Sequence, residues 1–295
     1  VITQGGDIVD IVAEKLTYSS SSTSAEELET DVNTLALSSV GFLNMVNNNL
    51  SAGNSNSTTL SIEAGGTSGS GTNQSVTIFQ TGSITLAGSF DSAKAGTLGN
   101  RRTAKNAGSN TTTDLSLTAT TEITLSGQTE KVVVDNLTLR SDAVTMNKNA
   151  DTVSADGVIS ISALTDNTPI GLAKSISGTA VVLNATNLLA FENVGTNSSA
   201  FVIGATAANG TGKTGGAITV GDDITINGAS FTLFGDSMAF ETNAGITVTN
   251  NSTQGDFAVT IDNGGNAGGI TSAADAQADI TAKNVTIVAK GSVGA

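Results

Sequence analysis

The sequence predicts an all-β chain wound as a parallel β-solenoid, with rungs stacked one on the next. Three observations carry that prediction. The stretch AITVGDDITINGASFTLFGDSMAFETNAGITV (217–248) alternates apolar and polar residues in short runs: Ile218/Val220, Ile224/Ile226, Phe231/Leu233, Met238/Phe240 and Ile246/Val248. Strict alternation buries one face of each strand. The turns between these runs are rich in Gly, Asn, Asp and Ser and are too short to hold crossover helices. The composition also suits a narrow, layered core. Aromatic residues make up 3% of the chain, Trp is absent, and Pro169 is the one proline. A core filled by Val, Ile, Leu and Ala needs few rings, and a ladder that uses its backbone N–H groups excludes Pro.

Residues 1–56 read as an irregular N-terminal segment or cap. Ile8, Val9, Ile11 and Val12, with Leu16 and Tyr18, read as a strand pair. Ser24-Ala25-Glu26-Glu27 then matches a capping box, and Leu28, Val32 and Leu35 follow at helical spacing. That pattern predicts a short helix over 25–36, with another strand turn as the alternative. The run 40–46 is mostly apolar and ends at Asn47-Asn48-Asn49.

Residues 57–295 carry the solenoid pattern. TTLSIEA, SVTIFQ and SITLAG open it. The segment 89–113 contains Arg101, Arg102 and Lys105 with few large apolar residues, and reads as a loop excursion. DLSLTA, EITLSG, KVVVDNLTL and AVTM resume the strands; VISISAL, PIGL, AVVL, LLAF and FVIG continue them. A Gly-rich excursion at 206–216 precedes the 217–248 stretch, and FAVTI, ADIT and NVTIVA follow it. Runs recur about every 8–13 residues, so three make a rung of roughly 20–30 residues and the chain makes roughly ten to fourteen rungs. Tandem antiparallel β-sandwiches give similar spacing. The missing Tyr corner and Trp-centred core count against them.

The formal net charge is −14, from 12 Lys and Arg against 26 Asp and Glu. An acidic surface disfavours nucleic acid and anionic membranes as partners. Without Cys or His there is no disulfide, thiol chemistry or imidazole ligand. No run approaches the roughly 18 apolar residues of a membrane helix. The opening VITQGGDIVDIV lacks Met and a basic leader. It reads as a mature product or as part of a longer protein.

Candidate sites are few. Asp222, Asp223 and Asp236, with Asp256 and Asp262, could place hard oxygen ligands for calcium along one ridge. The plainer reading makes them turn residues that accept local N–H groups. The glycines of Asp262–Gly269 lack the spaced Asp of a calcium-binding β-roll repeat. Asp222 or Asp223 with Asp236 is also the nominal carboxylate pair of a polysaccharide-active enzyme. The absence of His and Trp, a single Tyr, and few nearby Lys or Arg argue against catalysis. Gly210-Thr211-Gly212-Lys213-Thr214 looks like a phosphate loop. Its first glycine position is Ala207, however, and a strand pattern rather than a helix follows. The sequons at Asn56, Asn136, Asn184, Asn197, Asn251 and Asn284 are candidates for glycosylation. Those beside strands equally suit side-chain ladders along the stack.

Residues 152–249 resemble the secreted filamentous-haemagglutinin-like adhesins of bacteria. The resemblance rests on TVSADGVISISALTDNTPIGL, GTAVVLNATNLLAFENV, FVIGATAANGTG, GGAITVGDDITINGASFTL and NAGITVTNN, in that order. It covers about a third of the chain and its motifs are structural. The resemblance implies a right-handed parallel β-helix in a surface-exposed or secreted protein that acts in attachment. The secretion-domain signature of such proteins is not evident in residues 1–56, which implies an internal part of the rod. The expected function is therefore a non-catalytic, extracellular or cell-surface adhesive solenoid. It would bind a host or neighbouring-cell surface, or itself, with calcium as the one cofactor considered. A self-assembling surface-layer, sheath or filament subunit is the alternative, and a polysaccharide-active β-helix enzyme the third reading.

Overall fold

The computed structural model describes residues 9–20, 27–40, 42–48, 59–66, 74–88, 90–91, 113–127, 132–149, 152–155, 157–184, 188, 191–193, 200–205, 215–250, 253–261 and 268–294. The first rungs use β1 (Ile11–Ser20), β2 (Glu27–Val40), β3 (Phe42–Asn47), β4 (Thr59–Gly66), β5 (Gln74–Gln80), β6 (Ser83–Leu86) and β7 (Phe90–Asp91). The middle rungs use β8 (Thr113–Ala119), β9 (Ile123–Leu125), β10 (Val132–Val134), β11 (Leu137–Arg140), β12 (Val144–Met146), β13 (Val153–Ala155), β14 (Val158–Ser162), β15 (Ile170–Leu172), β16 (Val181–Leu183) and β17 (Phe191–Asn193). The last rungs begin with β18 (Ala200–Ile203), β19 (Ala217–Val220), β20 (Ile224–Asn227), β21 (Ser230–Gly235), β22 (Ser237–Phe240) and β23 (Ile246–Asn250). They finish with β24 (Thr253–Gln254), β25 (Asp256–Ile261), β26 (Ile270–Ser272), β27 (Ile280–Thr281) and β28 (Val285–Ala289).

These strands form long parallel sheets, the architecture of a parallel β-helix. Among the described residues the one antiparallel pair is β23 with β24. Antiparallel sandwiches are thereby excluded. The strands fall into three walls. The first is the longest: β2, β3, β5, β8, β11, β14, β18, β21, β25 and β28 stack in that order. The second runs from β1 and β2 through β4, β6, β9 and β12. It resumes with β16, β15, β19, β22 and β26. The third runs from the end of β4 through β7, β10, β13 and β17, and resumes with β20, β23 and β27.

Register makes the core. Met45, Ile78, Leu117, Leu139, Ile161, Ile203, Leu233 and Val259 form one inward column of the first wall, all buried. Burying such a side chain contributes about 1.5–3 kcal/mol. The intervening residues point outward, and a one-residue slip would exchange the two sets. Register is therefore held along the first wall, while β2 shifts register against β1 and β4. Rung length, by contrast, varies widely. Hydrogen-bonded partners on adjacent rungs are 17 residues apart at Thr30 and Asn47, 22 at Asp114 and Asn136, and 33 at Asn47 and Gln80. The variation sits in the corners, which is why no fixed repeat shows in the sequence.

The helix expected over 25–36 does not form; its described part is strand β2. Leu28, Thr30 and Val32 point inward with period two, and after a bend Leu35 and Leu37 do the same. The bend breaks the alternation, so Leu28, Val32 and Leu35 fall at helix-like spacing by accident. Ser24, Ala25 and Glu26 of the capping box lie outside the described residues. Within 1–56, β1, β2 and β3 stack onto β4 and β5 with the same inward columns. The excursion expected at 89–113 is trimmed at both ends. Phe90 is a buried wall residue 1% exposed in β7, and Thr113 begins β8. Residues 89 and 92–112 lie outside the described set, as do 206–214 of the second excursion.

One rung departs from chain order. Leaving β14, the chain forms β15, then turns through 173–180 and places β16 beneath it, with Ile170 beside Val181 and Leu172 beside Leu183. Ala173, at φ 50°, and Gly178, at φ 90°, shape that turn. Gly171 makes room for it: a Cβ there would lie 2.3 Å from the Lys174 carbonyl oxygen and 3.1 Å from Ile176.

Candidate functional site

Among the described residues the corners between walls hold many of the chemistry-bearing side chains. Asp222 and Asp223 occupy the corner between β19 and β20, both exposed. Asp222 Oδ1 accepts the Asp223 N–H at 2.8 Å, the geometry of a turn residue closing its own turn. One rung on, Gly245 lies beside Asp223, and a Cβ on it would meet Asp223 Oδ1 at 3.0 Å. One rung further, Asp279 Oδ1 accepts the Ser272 hydroxyl at 2.9 Å. Asp275 accepts the N–H groups of Asn243 at 2.8 Å and Gln277 at 2.9 Å. Those two bonds hold its carboxyl below the usual range, with burial a weaker opposing influence. Asp236 occupies a different corner, between β21 and β22. Among the described residues no three acidic side chains converge as a metal-ligand set. Asp256 sits at yet another corner and accepts Asn284 Nδ2 at 2.8 Å. Asp262 and the following Gly-rich run through Ala267 lie outside the described residues.

The phosphate-loop look-alike at 210–214 also lies outside them, but the next element is strand β19. The sequons divide in the same way. Asn56, Asn197 and Asn251 are outside the described residues. Asn136 is built into a ladder: its Nδ2 donates to Asp114 at 2.8 Å and its Oδ1 accepts the Val158 N–H at 2.8 Å. Asn284 makes the equivalent bond to Asp256, so both amides serve the stack.

The most heavily bonded groups are ones the sequence did not single out. Thr30, Asn47 and Gln80 lie in one inward column, 0–1% exposed. Thr30 Oγ1 donates to Asn47 Oδ1 at 2.7 Å, and the Val32 N–H donates to the same oxygen at 2.9 Å. Asn47 Nδ2 donates to the Val32 carbonyl at 2.9 Å and to Gln80 Oε1 at 2.6 Å. Gln80 Nε2 closes the chain on the Thr81 carbonyl at 2.8 Å. Their one sequence signal is parity, since Asn47 and Gln80 fall on inward positions at the ends of FLNMVN and QSVTIFQ.

Asp142 is the second such group, 9% exposed. Its carboxylate accepts the N–H groups of Leu164 at 2.8 Å and Thr165 at 2.6 Å, and the hydroxyls of Thr165 and Thr168. Burial works against its charge, but the four hydrogen bonds outweigh burial and hold its pKa below the ordinary aspartate value. Near the opposite corner Lys174 pairs with Glu241 at 2.6 Å. Of these arrangements, the Asp142 bonds fix a backbone corner. Among the described residues no helix is long and apolar enough to cross a membrane.

No protein-family model matches the chain, and no curated protein or solved structure is significantly similar to it.

Proposed function

We propose that this chain is a non-catalytic, extracellular β-solenoid segment of an adhesin-like surface protein, which holds its corner excursions at fixed spacing on a stiff scaffold. The observation that carries the reading is the unbroken first wall, ten strands in one parallel ladder from β2 to β28. Strands at about 4.8 Å per rung make such a wall a rigid spacer. The resemblance of 152–249 to filamentous-haemagglutinin-like adhesins supports display and attachment, and the polar corner chemistry supports a scaffold rather than a reaction centre. The test is retention of the purified chain, coupled to beads, on intact cells. Binding that falls when 92–112 or 206–214 is replaced by a short Gly/Ser linker supports the reading. Equal retention of beads carrying an unrelated acidic protein sinks it. A screen of acidic and neutral polysaccharides with added calcium tests the enzyme alternative, which any cleavage product would revive.

Self-association is the second reading, since a parallel ladder can be extended by a strand from another copy. Sedimentation velocity across a hundredfold concentration range separates the readings. Growth into long species favours a filament subunit, and a constant monomer rejects it.

A further inference from the structure

The inverted pair β15 and β16 has a consequence for the whole stack. Between β11 and β18 the first wall has one strand, β14. Between β12 and β19 the second wall has two, β16 and β15. A surplus strand adds about 4.8 Å to one side of the rod. Three ladders cannot all stay in step across such a surplus, and two of them do not. Among the described residues β12 and β16 are neighbours without a ladder, and so are β17 and β20. Only the first wall, among the described residues, runs through. At the corner beside the β12–β16 gap, Asp142 supplies side-chain bonds from one rung to the next. It precedes β12, and its carboxylate grips 164–168, the turn that leads into β15.

We infer that the solenoid consists of two cooperative blocks meeting at this stepped seam, latched by Asp142, and that the seam opens before either block unfolds. The lower block ends in β12, β13 and β17; the upper begins with β16, β15 and β18. In a solenoid each rung is stabilised by its neighbours, so the interface with the fewest ladder bonds bounds the cooperative units. The inference holds whether or not the chain is displayed at a cell surface. For a rod under load, it places the yield point at β12–β16 rather than at an end.

The test uses the intact chain. Native-state hydrogen exchange should show β15, β16 and β20 exchanging at least about tenfold faster than β8 below the seam and β21 and β25 above it. Asp142→Asn should widen that difference, and Leu139→Val, a core change below the seam, should not. Urea unfolding offers a second view, because Tyr18 is the chain's one tyrosine and reports the lower block alone. Its midpoint should differ from that of the far-ultraviolet signal. The chain has no Cys, so Thr145→Cys with Val182→Cys, midway along β12 and β16, offers a single candidate disulfide across the gap. Oxidation should merge the two midpoints and reduction should separate them. Uniform protection across β8, β16 and β21, with coincident unfolding by both probes, overturns the inference. Where the double variant does not cross-link, exchange in the unmodified chain decides.

Discussion

At the residue scale, the unusual feature is polar chemistry inside an apolar stack. Asn47 uses both ends of its amide: its oxygen accepts from Thr30 and Val32, and its nitrogen donates to Val32 and Gln80. A buried polar group costs little while bonded and about 1–3 kcal/mol once its partner is removed. Asn47→Ala strands groups on Thr30, Val32 and Gln80, so we expect a loss of about 2–3 kcal/mol in urea unfolding. Asp142 is similar but charged. Asp142→Asn keeps the shape and removes charge-assisted acceptance, and about 2 kcal/mol should be lost at neutral pH. The sign of its pH dependence follows from the lowered folded pKa. The stabilisation is complete above the unfolded value near 4 and disappears as pH falls through the folded value. Between pH 7 and pH 3 the wild type should therefore lose more stability than Asp142→Asn, as measured by urea midpoints at each pH. A pH dependence identical in the two proteins would refute this role for Asp142.

At the scale of the element, an aromatic stack adds cohesion to the upper rungs. Phe201, Phe231 and Phe257 occupy one inward column on β18, β21 and β25, with ring centroids 5.4 and 6.0 Å apart. Phe191 on β17 joins from the third wall at 4.7 Å from Phe201. Phe231 is fully buried between two rings, so Phe231→Ala opens a cavity and breaks both contacts. We expect a cost of about 3–5 kcal/mol. Thr232→Ala, the outward neighbour on the same strand, should change stability by no more than about 0.5 kcal/mol. Far-ultraviolet dichroism during urea unfolding compares the two; equal losses would mean that the inward column is not where β21 is held. These strands were legible in the sequence because SFTLF and DFAVTI alternate cleanly. β2 stayed open between helix and strand because its bend breaks the alternation, and β7 was missed because a two-residue strand carries no period.

At the scale of the molecule, modularity is the property to test. Residues 115–136 supply one rung: β8, β9 and β10. Their lower neighbours β5, β6 and β7 and their upper neighbours β11, β12 and β13 lie in matching register on all three walls. Deleting 115–136 joins Asp114 to Leu137 and sets Leu137 over Val76, Val144 over Ile84, and Val153 over Phe90. Asp114 then occupies the place of Asn136. We expect a folded protein with an unchanged far-ultraviolet spectrum per residue and modestly lower stability. Deleting 115–130, which leaves the register unmatched, should give an unfolded or aggregated product. If both deletions fold equally well, the rung is not the structural unit.

The sequence by itself determined that the chain is all-β, that its runs bury one face, and that its polar corners favour backbone capping. Those properties are local: period-two alternation, turn-forming residues and scarce proline act over a few residues whatever the neighbours are. Asp222 was legible as a turn residue for the same reason. The tertiary structure alone decided which strand lies on which. The inversion of β15 and β16 leaves no mark on periodicity, because either order buries Ile170, Leu172, Val181 and Leu183 equally. The Thr30–Asn47–Gln80 ladder joins residues 17 and 33 positions apart, and variable corner lengths hide that distance from any reading along the chain. Asp142 carries no signal along the chain, and it is the fold that brings the 164–168 turn against it. Contacts between rungs depend on how many residues each corner consumes, and only the folded stack records that number.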